Sequence, residues 1–170
     1  VAAVWLSTEE KAPVEVLPGF ISNDANHLSG PSKTGEELAW CIRQSLKVAG
    51  VDAREISFIN AHGTATLYND EMEANAFTHA GVSERPVFSL KGHFGHTLGA
   101  CGVLETALCA EALIQERMPP NIGYTSHGVS KPLQVVQQVN SFHGEFALKT
   151  GSGFGGCNAA LMLQKKQVGA

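Results

Sequence analysis

Runs of basic residues are missing from this 170-residue chain, and so is any excess of positive charge. Its 12 Lys and Arg are outnumbered by 16 Asp and Glu, giving a net charge of −4 and a pI near 6.0. Nucleic acid is therefore not expected as a partner. No apolar run approaches the roughly 20 residues that span a bilayer, so no membrane partner is expected either. No signal-peptide pattern is present at the start. The four cysteines, Cys41, Cys101, Cys109 and Cys157, form no CxxC pair. Cys41 and Cys109 fall at apolar positions of helical runs, which predicts buried free thiols and a reducing, cytoplasmic setting. Internal repeats and low-complexity segments are also lacking. The first residue is Val1, inside a stretch that reads as a strand (1–6), so the start is expected to be a cut.

What is present is apolar material for one core. Hydrophobic residues make up 44% and charged residues 16%, which predicts a single domain over residues 1–170. The 18 glycines predict many tight loops. Residues 1–6 and 14–21 read as strands, with Glu9, Glu10 and Lys11 near the turn between them. Residues 22–33 read as a loop, either a solvated connection or the rim of a binding cleft. Thr34 and Glu37 form a capping-box pattern for a helix over 34–49, whose apolar stripe includes Leu38, Cys41, Ile42 and Leu46. Strand 55–60 follows. Asn69 or Asp70 can cap a helix running to about His79, with Glu71 and Glu73 in a first turn that suits acids. Strand 86–90 precedes a helix over 101–115 that is apolar nearly all round, which predicts burial on most sides. Residues 118–132 read as an irregular connection. Residues 133–139, 145–150 and 158–164 read as strands, and 165–170 as a polar, fraying tail. Strands alternating with helices, closed by a strand pair, predict an α/β unit with a mixed sheet.

Three glycine-marked loops hold the chemistry and are expected to meet. The first is Asn60-Ala61-His62-Gly63-Thr64-Ala65-Thr66. A histidine at the end of a strand faces the sheet edge where α/β proteins bind ligands. It could stabilise an enolate or oxyanion with its N–H, or merely tie down the loop. Thr64 and Thr66 alternate, so their hydroxyls can point the same way and bond an amide-bearing ligand. The second loop, residues 91–102, holds Lys91 and His96 ahead of the apolar helix, whose positive end favours a neutral histidine and nearby negative charge. Glu105 stands in that otherwise apolar helix. It either reaches solvent or takes Lys91 as the partner a buried carboxylate needs. The third loop, residues 151–158, either is a tight turn between strands or brings backbone N–H groups close to a ligand, as an oxyanion hole requires. His93 and His96 are three apart, and His62 or Cys101 could join them. That segment lacks the rigid helix that usually presents such a pair, so no metal is expected.

Taken together the loops resemble the C-terminal half of the β-ketoacyl-acyl-carrier-protein synthases. Asn60 to Thr66 with Asn69, Asp70 and Glu73 is similar to the family's Asn-Ala-His-Gly-Thr-x-Thr stretch. Lys91 to Gly102 with Glu105 is similar to its Lys-x-x-x-Gly-His-x-x-Gly-Ala-x-Gly-x-x-Glu stretch. Gly153-Phe154-Gly155-Gly156-Cys157-Asn158 is similar to its Gly-Phe-Gly-Gly-Thr-Asn turn, and Gly19-Phe20 with Ser22-Asn23-Asp24-Ala25 also fits. The resemblance implies a thiolase-like fold, in which each of two similar halves contributes a five-stranded mixed sheet flanked by helices, and the whole dimerises. It implies decarboxylative Claisen condensation of a malonyl unit with an acyl group held on a cysteine, in fatty acid or polyketide synthesis. No cofactor is implied, because the substrate rides on the phosphopantetheine of acyl carrier protein, the implied partner. His62 and His96 would be the catalytic histidines, Lys91 would organise the site with Glu105 supporting it, and Thr64 and Thr66 would contact phosphopantetheine. Phe154 and Gly155 would form the oxyanion loop, with the Phe154 ring gating the acyl pocket.

Some positions depart from the family. The nucleophilic cysteine belongs to the N-terminal half, which this chain lacks. Cys157 stands for a threonine, His93 is atypical, and Lys149-Thr150-Gly151-Ser152 stand where Ser-Asn-Ser-Phe is usual, so one gating phenylalanine is lost. A non-catalytic partner of the chain-length-factor type, held as a heterodimer, is the alternative. Intact His62, Lys91 and His96 favour the enzyme. His62 also argues against a thiolase, and three intact motifs argue against a purely structural module.

Overall fold

A computed structural model describes residues 1–8 and 12–166. Six strands form the main sheet in the order β1(Val14–Asn23), β8(Cys157–Lys165), β7(Phe146–Gly153), β2(Ile56–Asn60), β3(Pro86–Phe88), β5(Gln134–Val135). The first two pairings, β1 with β8 and β8 with β7, are antiparallel. β7, β2, β3 and β5 run parallel. The sheet is mixed, as expected, with six strands in place of five because the two-residue β5 adds an edge beside β3. A separate pair, β4(Arg117–Met118) and β6(Asn140–Ser141), follows the last long helix.

Helices cover both faces. α1(Glu36–Ala49) and α2(Leu67–Ala80) pack on one side, where Leu38, Ile42, Met72 and Phe77 meet Ile56, Ile59, Leu148 and Met162. α4(Cys101–Gln115) lies on the other, where Cys109, Ala112 and Leu113 meet Phe58, Phe88, Ala147 and Leu163. Alternation along a strand explains the division, since Ala147 and Leu148 point to opposite faces.

Several elements differ from the sequence reading, each for a local reason. Residues 1–6 form no strand. They have no partner strand among the described residues, and Trp5 and Leu6 are exposed. Glu9, Glu10, Lys11 and the tail beyond 166 lie outside the described residues. α1 starts at Glu36 and is capped by Gly35 at φ 70°, with no capping box. A Cβ at Gly35 would meet the Met72 carbonyl and sit 2.8 Å from Ala76 N, so close approach of α2 selects glycine there. α2 begins at Leu67, ahead of Asn69 and Asp70, and Asp70 N already donates to the Thr66 carbonyl at 3.0 Å, which places both residues inside the helix. The strand expected over 133–139 shrinks to β5.

Helix 101–115 is found where expected but is not buried on most sides. Glu105, Cys109, Ala112 and Leu113 are buried, whereas Val103 and Ile114 are more than a third exposed. Among the described residues its main cover is the sheet, through β7 and β8 with smaller contacts to β1 and β4. With the preceding 3₁₀ turn, residues Leu98–Gln115 are long and apolar enough to cross a membrane by length and composition. Its central Glu105 is paired with two lysines and its buried face packs on the sheet, which marks it as a sheet-flanking helix.

Candidate active site

The parallel strands β7, β2 and β3 end at one edge of the sheet, and each of the three loops leaves that edge. β2 runs straight into His62. Beyond β3, Lys91 opens a one-turn helix, α3(Lys91–Phe94), and His96 follows it. β7 continues past the end of β2 into the glycine turn of residues 154–156. The loops therefore converge, as the sequence reading expected.

The His62 loop is pinned from below by Glu73. One carboxylate oxygen accepts from His62 N at 2.7 Å and Thr150 Oγ1 at 3.1 Å. The other accepts from Gly63 N at 2.7 Å and Asn69 Nδ2 at 3.0 Å. Burial pushes the Glu73 carboxyl up, and the two backbone donors and the nearby Lys149 charge pull it back. Gly63 takes φ +48°, and Ser89 Oγ donates to its carbonyl at 2.9 Å. Sequence reading placed Glu73 on the helix dipole. Its reach to the loop before α2 was visible only as part of the family motif.

Lys91 sits above this loop, with its ammonium buried. It donates to His62 O at 2.5 Å, contacts His62 Nδ1 at 3.3 Å and donates to Glu105 Oε1 at 2.7 Å. These three contacts match the three protons of an ammonium. Glu105 is buried and takes Lys91 as its partner, so it does not reach solvent. Its second oxygen lies 2.7 Å from the ammonium of Lys149, which stands on β7 and is also buried. Lys149 is the site residue that sequence reading missed. The signal was present: period-two alternation puts Lys149 on the same face as Ala147, toward α4, and a lysine buried there needs a carboxylate.

The two histidine rings lie edge to face with centroids 5.2 Å apart. Lys91 donates toward His62 Nδ1, and Leu98 N donates to His96 Nδ1 at 3.2 Å. Both rings are thereby assigned as the tautomer with the proton on Nε2, and each offers one N–H donor. Burial, then the charges of Lys91 and Lys149, push His62 down to about 3, so it is neutral at ordinary pH. A carbonyl oxygen that gains negative charge between two such donors is stabilised without any proton moving. A cavity of about 530 Å³ opens beside the His96 ring, lined among others by Thr64, Lys91, His96, Asn121 and Val129, with Ala61 and Gly63, the neighbours of His62, in its wall. The connection over 118–132 thus supplies a cavity wall, which its irregular composition did not reveal. Thr64, half-buried in the cavity wall, and exposed Thr66 have their hydroxyls 2.8 Å apart.

The glycine turn is held by the loop over 22–33. Asp24 N donates to Gly156 O, Asn23 Nδ2 to Gly155 O, and Gly155 N to Leu28 O at 2.8 Å. That loop is neither a free connection nor a cavity wall, but a brace for the turn. Gly155 N–H is consequently engaged within the fold. Phe154, exposed at the tip, stands outside the walls of the cavity. His93 Nε2 contacts Pro120 O at 2.8 Å and ties α3 to the connection. Among the described residues no group of three metal-ligating side chains occurs.

The model of the β-ketoacyl synthase C-terminal domain matches residues 15–125. This chain belongs to the β-ketoacyl synthase family. The 3-oxoacyl-[acyl-carrier-protein] synthase 2 of Rhizobium meliloti is 35% identical over 159 residues, covering 91% of this chain and 38% of that protein. A β-ketoacyl synthase from Burkholderia phymatum superimposes with a TM-score of 0.85 at 29% identity, over 91% of this chain and 38% of the other. A ketosynthase from Xenorhabdus doucetiae, solved in complex with its chain length factor, gives 0.84 at 31% identity over 92% and 40%. The synthase domain seen here therefore spans well under half the length of these relatives, and its fold is thiolase-like, as the resemblance implied.

Proposed function

We propose that this domain is the half of a condensing enzyme that activates a malonyl thioester. The pair of Nε2–H donors, one on buried His62 and one on exposed His96, supports that reading above all. In the proposed reaction the bond between malonyl C2 and its carboxylate breaks and CO₂ leaves. The electron pair moves onto the thioester carbonyl, whose oxygen accepts from both histidines as it becomes an enolate oxygen. C2 then attacks an acyl thioester on a cysteine outside this chain and expels the thiolate. Lys91 holds the His62 ring and carbonyl and is fully engaged in doing so, so its role is positioning.

The malonyl unit would arrive on the phosphopantetheine of acyl carrier protein, with Thr64 and Thr66 at the mouth to meet its amides and no resident cofactor needed. A dimer partner, either a second copy or another condensing-enzyme subunit, and a reducing cytoplasmic setting belong to the same reading, which the four free thiols support. The half-exposed apolar face of α4 suits cover by the rest of a longer chain.

Malonyl-acyl-carrier-protein decarboxylation by the full-length protein, followed as acetyl-carrier formation by mass spectrometry, tests the proposal. His62→Ala and His96→Ala are each expected to lose at least a hundredfold, the scale of removing one oxyanion donor. Turnover at the wild-type rate in either variant refutes the site. A full-length wild type without decarboxylation would favour a non-catalytic, chain-length-factor-type subunit.

A further inference from the structure

Four charged side chains are buried behind the histidines, from four different elements: Glu73 on α2, Lys91 on α3, Glu105 on α4 and Lys149 on β7. Two are carboxylates and two are ammoniums. A buried charge without compensation is far more costly than a buried pair. With Lys91 alone, the cluster would hold two carboxylates against one cation.

We propose that Lys149 is a positioning residue of this site: its ammonium clamps the Oε2 of Glu105, leaving Oε1 to Lys91, and its charge balances Glu73. The geometry supports each part. Lys149 Nζ lies 2.7 Å from Glu105 Oε2, and Lys91 Nζ lies 2.7 Å from Oε1 of the same carboxylate. A hydrogen bond from Lys149 to the Thr150 carbonyl fixes the ammonium against its own strand. The next residue along that strand, Thr150, donates to Glu73. β7 thus presents an ammonium to α4 and a hydroxyl to α2, one on each face. Lys149 also bears on His62 through space. His62 is faced by Lys91, Lys149 and His96, and Glu73 is faced by Lys149 and Asp70, while Cys109 on α4 lies near both Lys149 and Glu105.

The consequence is a test by charge balance, and its functional arm rests on the condensing-enzyme reading. Lys149→Met in the full-length protein leaves the cluster with an excess negative charge. His62 then accepts a proton at higher pH, and Glu105 is free to turn from Lys91. The acid limb of the decarboxylation profile should move up by at least one pH unit, and kcat should fall more than KM rises. Lys149→Met with Glu105→Gln restores neutrality, because a glutamine oxygen still accepts from Lys91 and one charge of each sign is gone. That double variant should bring the acid limb back toward the wild type, which a sum of two independent losses would not do.

Histidine-selective ¹⁵N NMR, assigned with His62→Gln, reads the His62 titration directly and needs no activity. If the wild type decarboxylates nothing, the functional reading fails while this titration still decides the role of Lys149. An unmoved His62 titration in folded Lys149→Met overturns the proposal. Should Lys149→Met fail to fold, a folded double variant supports charge balance, and failure of both overturns it.

Discussion

Removing the Glu73 carboxylate should open the His62 loop locally, and the size of the effect follows from its bonds. The variant Glu73→Ala deprives His62 N, Gly63 N, Asn69 Nδ2 and Thr150 Oγ1 of their acceptor, at present 2.7, 2.7, 3.0 and 3.1 Å away. Each buried donor left unpaired costs about 1–3 kcal/mol. The side chains of Asn69 and Thr150 can turn to other partners, but the two backbone N–H groups cannot. That leaves about 2–6 kcal/mol, offset by no longer burying a carboxylate that desolvation disfavours. A net local loss of about 3 kcal/mol is expected, which accelerates exchange through local opening by a factor of about a hundred. The assay is hydrogen–deuterium exchange by mass spectrometry on a peptide spanning residues 60–66 of the full-length protein, with a β8 peptide as the internal reference. Exchange faster by a hundredfold in the loop with β8 unchanged is the expected result. Less than threefold would show that the carboxylate does not hold the loop, and the account of how His62 is positioned would fall with it.

Two further predictions concern the same loop. His62 has its folded pKa pushed down to about 3, below the ordinary 6.5, so the unfolded state binds a proton that the folded state refuses. Its contribution to stability is present above pH 6.5 and is lost as pH falls toward 3, at up to about 1.4 kcal/mol per pH unit; urea unfolding between pH 7 and 4.5 should show that slope, and a His62→Gln variant with the same slope would contradict it. Gly63→Ala places a Cβ 2.5 Å from the Ser89 Cβ at φ +48°, and should lower the thermal midpoint by several degrees, whereas Gly99→Ala, with nothing within 4 Å, should leave it within a degree; equal midpoints for the two variants would refute the strain argument.

Much of the layout was legible because it rests on local rules. The stripe of Leu38, Cys41, Ile42 and Leu46 located α1, and the apolar run located α4 to the residue. Glu105, in the first turns of that run, pointed to Lys91, since a buried carboxylate needs a partner. Long-range geometry escaped the same reasoning. Glu73 looked like a first-turn acid because nothing local shows that its helix turns back over the preceding loop. Residues 1–6 have the composition of a strand but no strand to pair with among the described residues, and composition does not report neighbours. The burial of α4 was overestimated for the same reason: an apolar surface states that a cover is wanted, not which part of the chain supplies it.

Lys149 shows where the line between legible and hidden runs. Its position in an apolar strand was a violation of local consistency, and such violations concentrate at functional sites. Taken alone it could be an edge lysine reaching water, which is how strands commonly protect themselves. Two facts decide otherwise, and both are topological. β7 has β8 on one side and β2 on the other, so it is not an edge. α4 crosses the face to which residue 149 points, with Glu105 toward the strand. A single carboxylate then joins β7 and α3 through α4, so any shift of α4 against the sheet is felt at both ammoniums and, through Lys91, at the ring and the carbonyl of His62. The outer side of α4 exposes Val103 and Ile114 by more than a third, so a shift of this helix starts from a face that the described residues leave open.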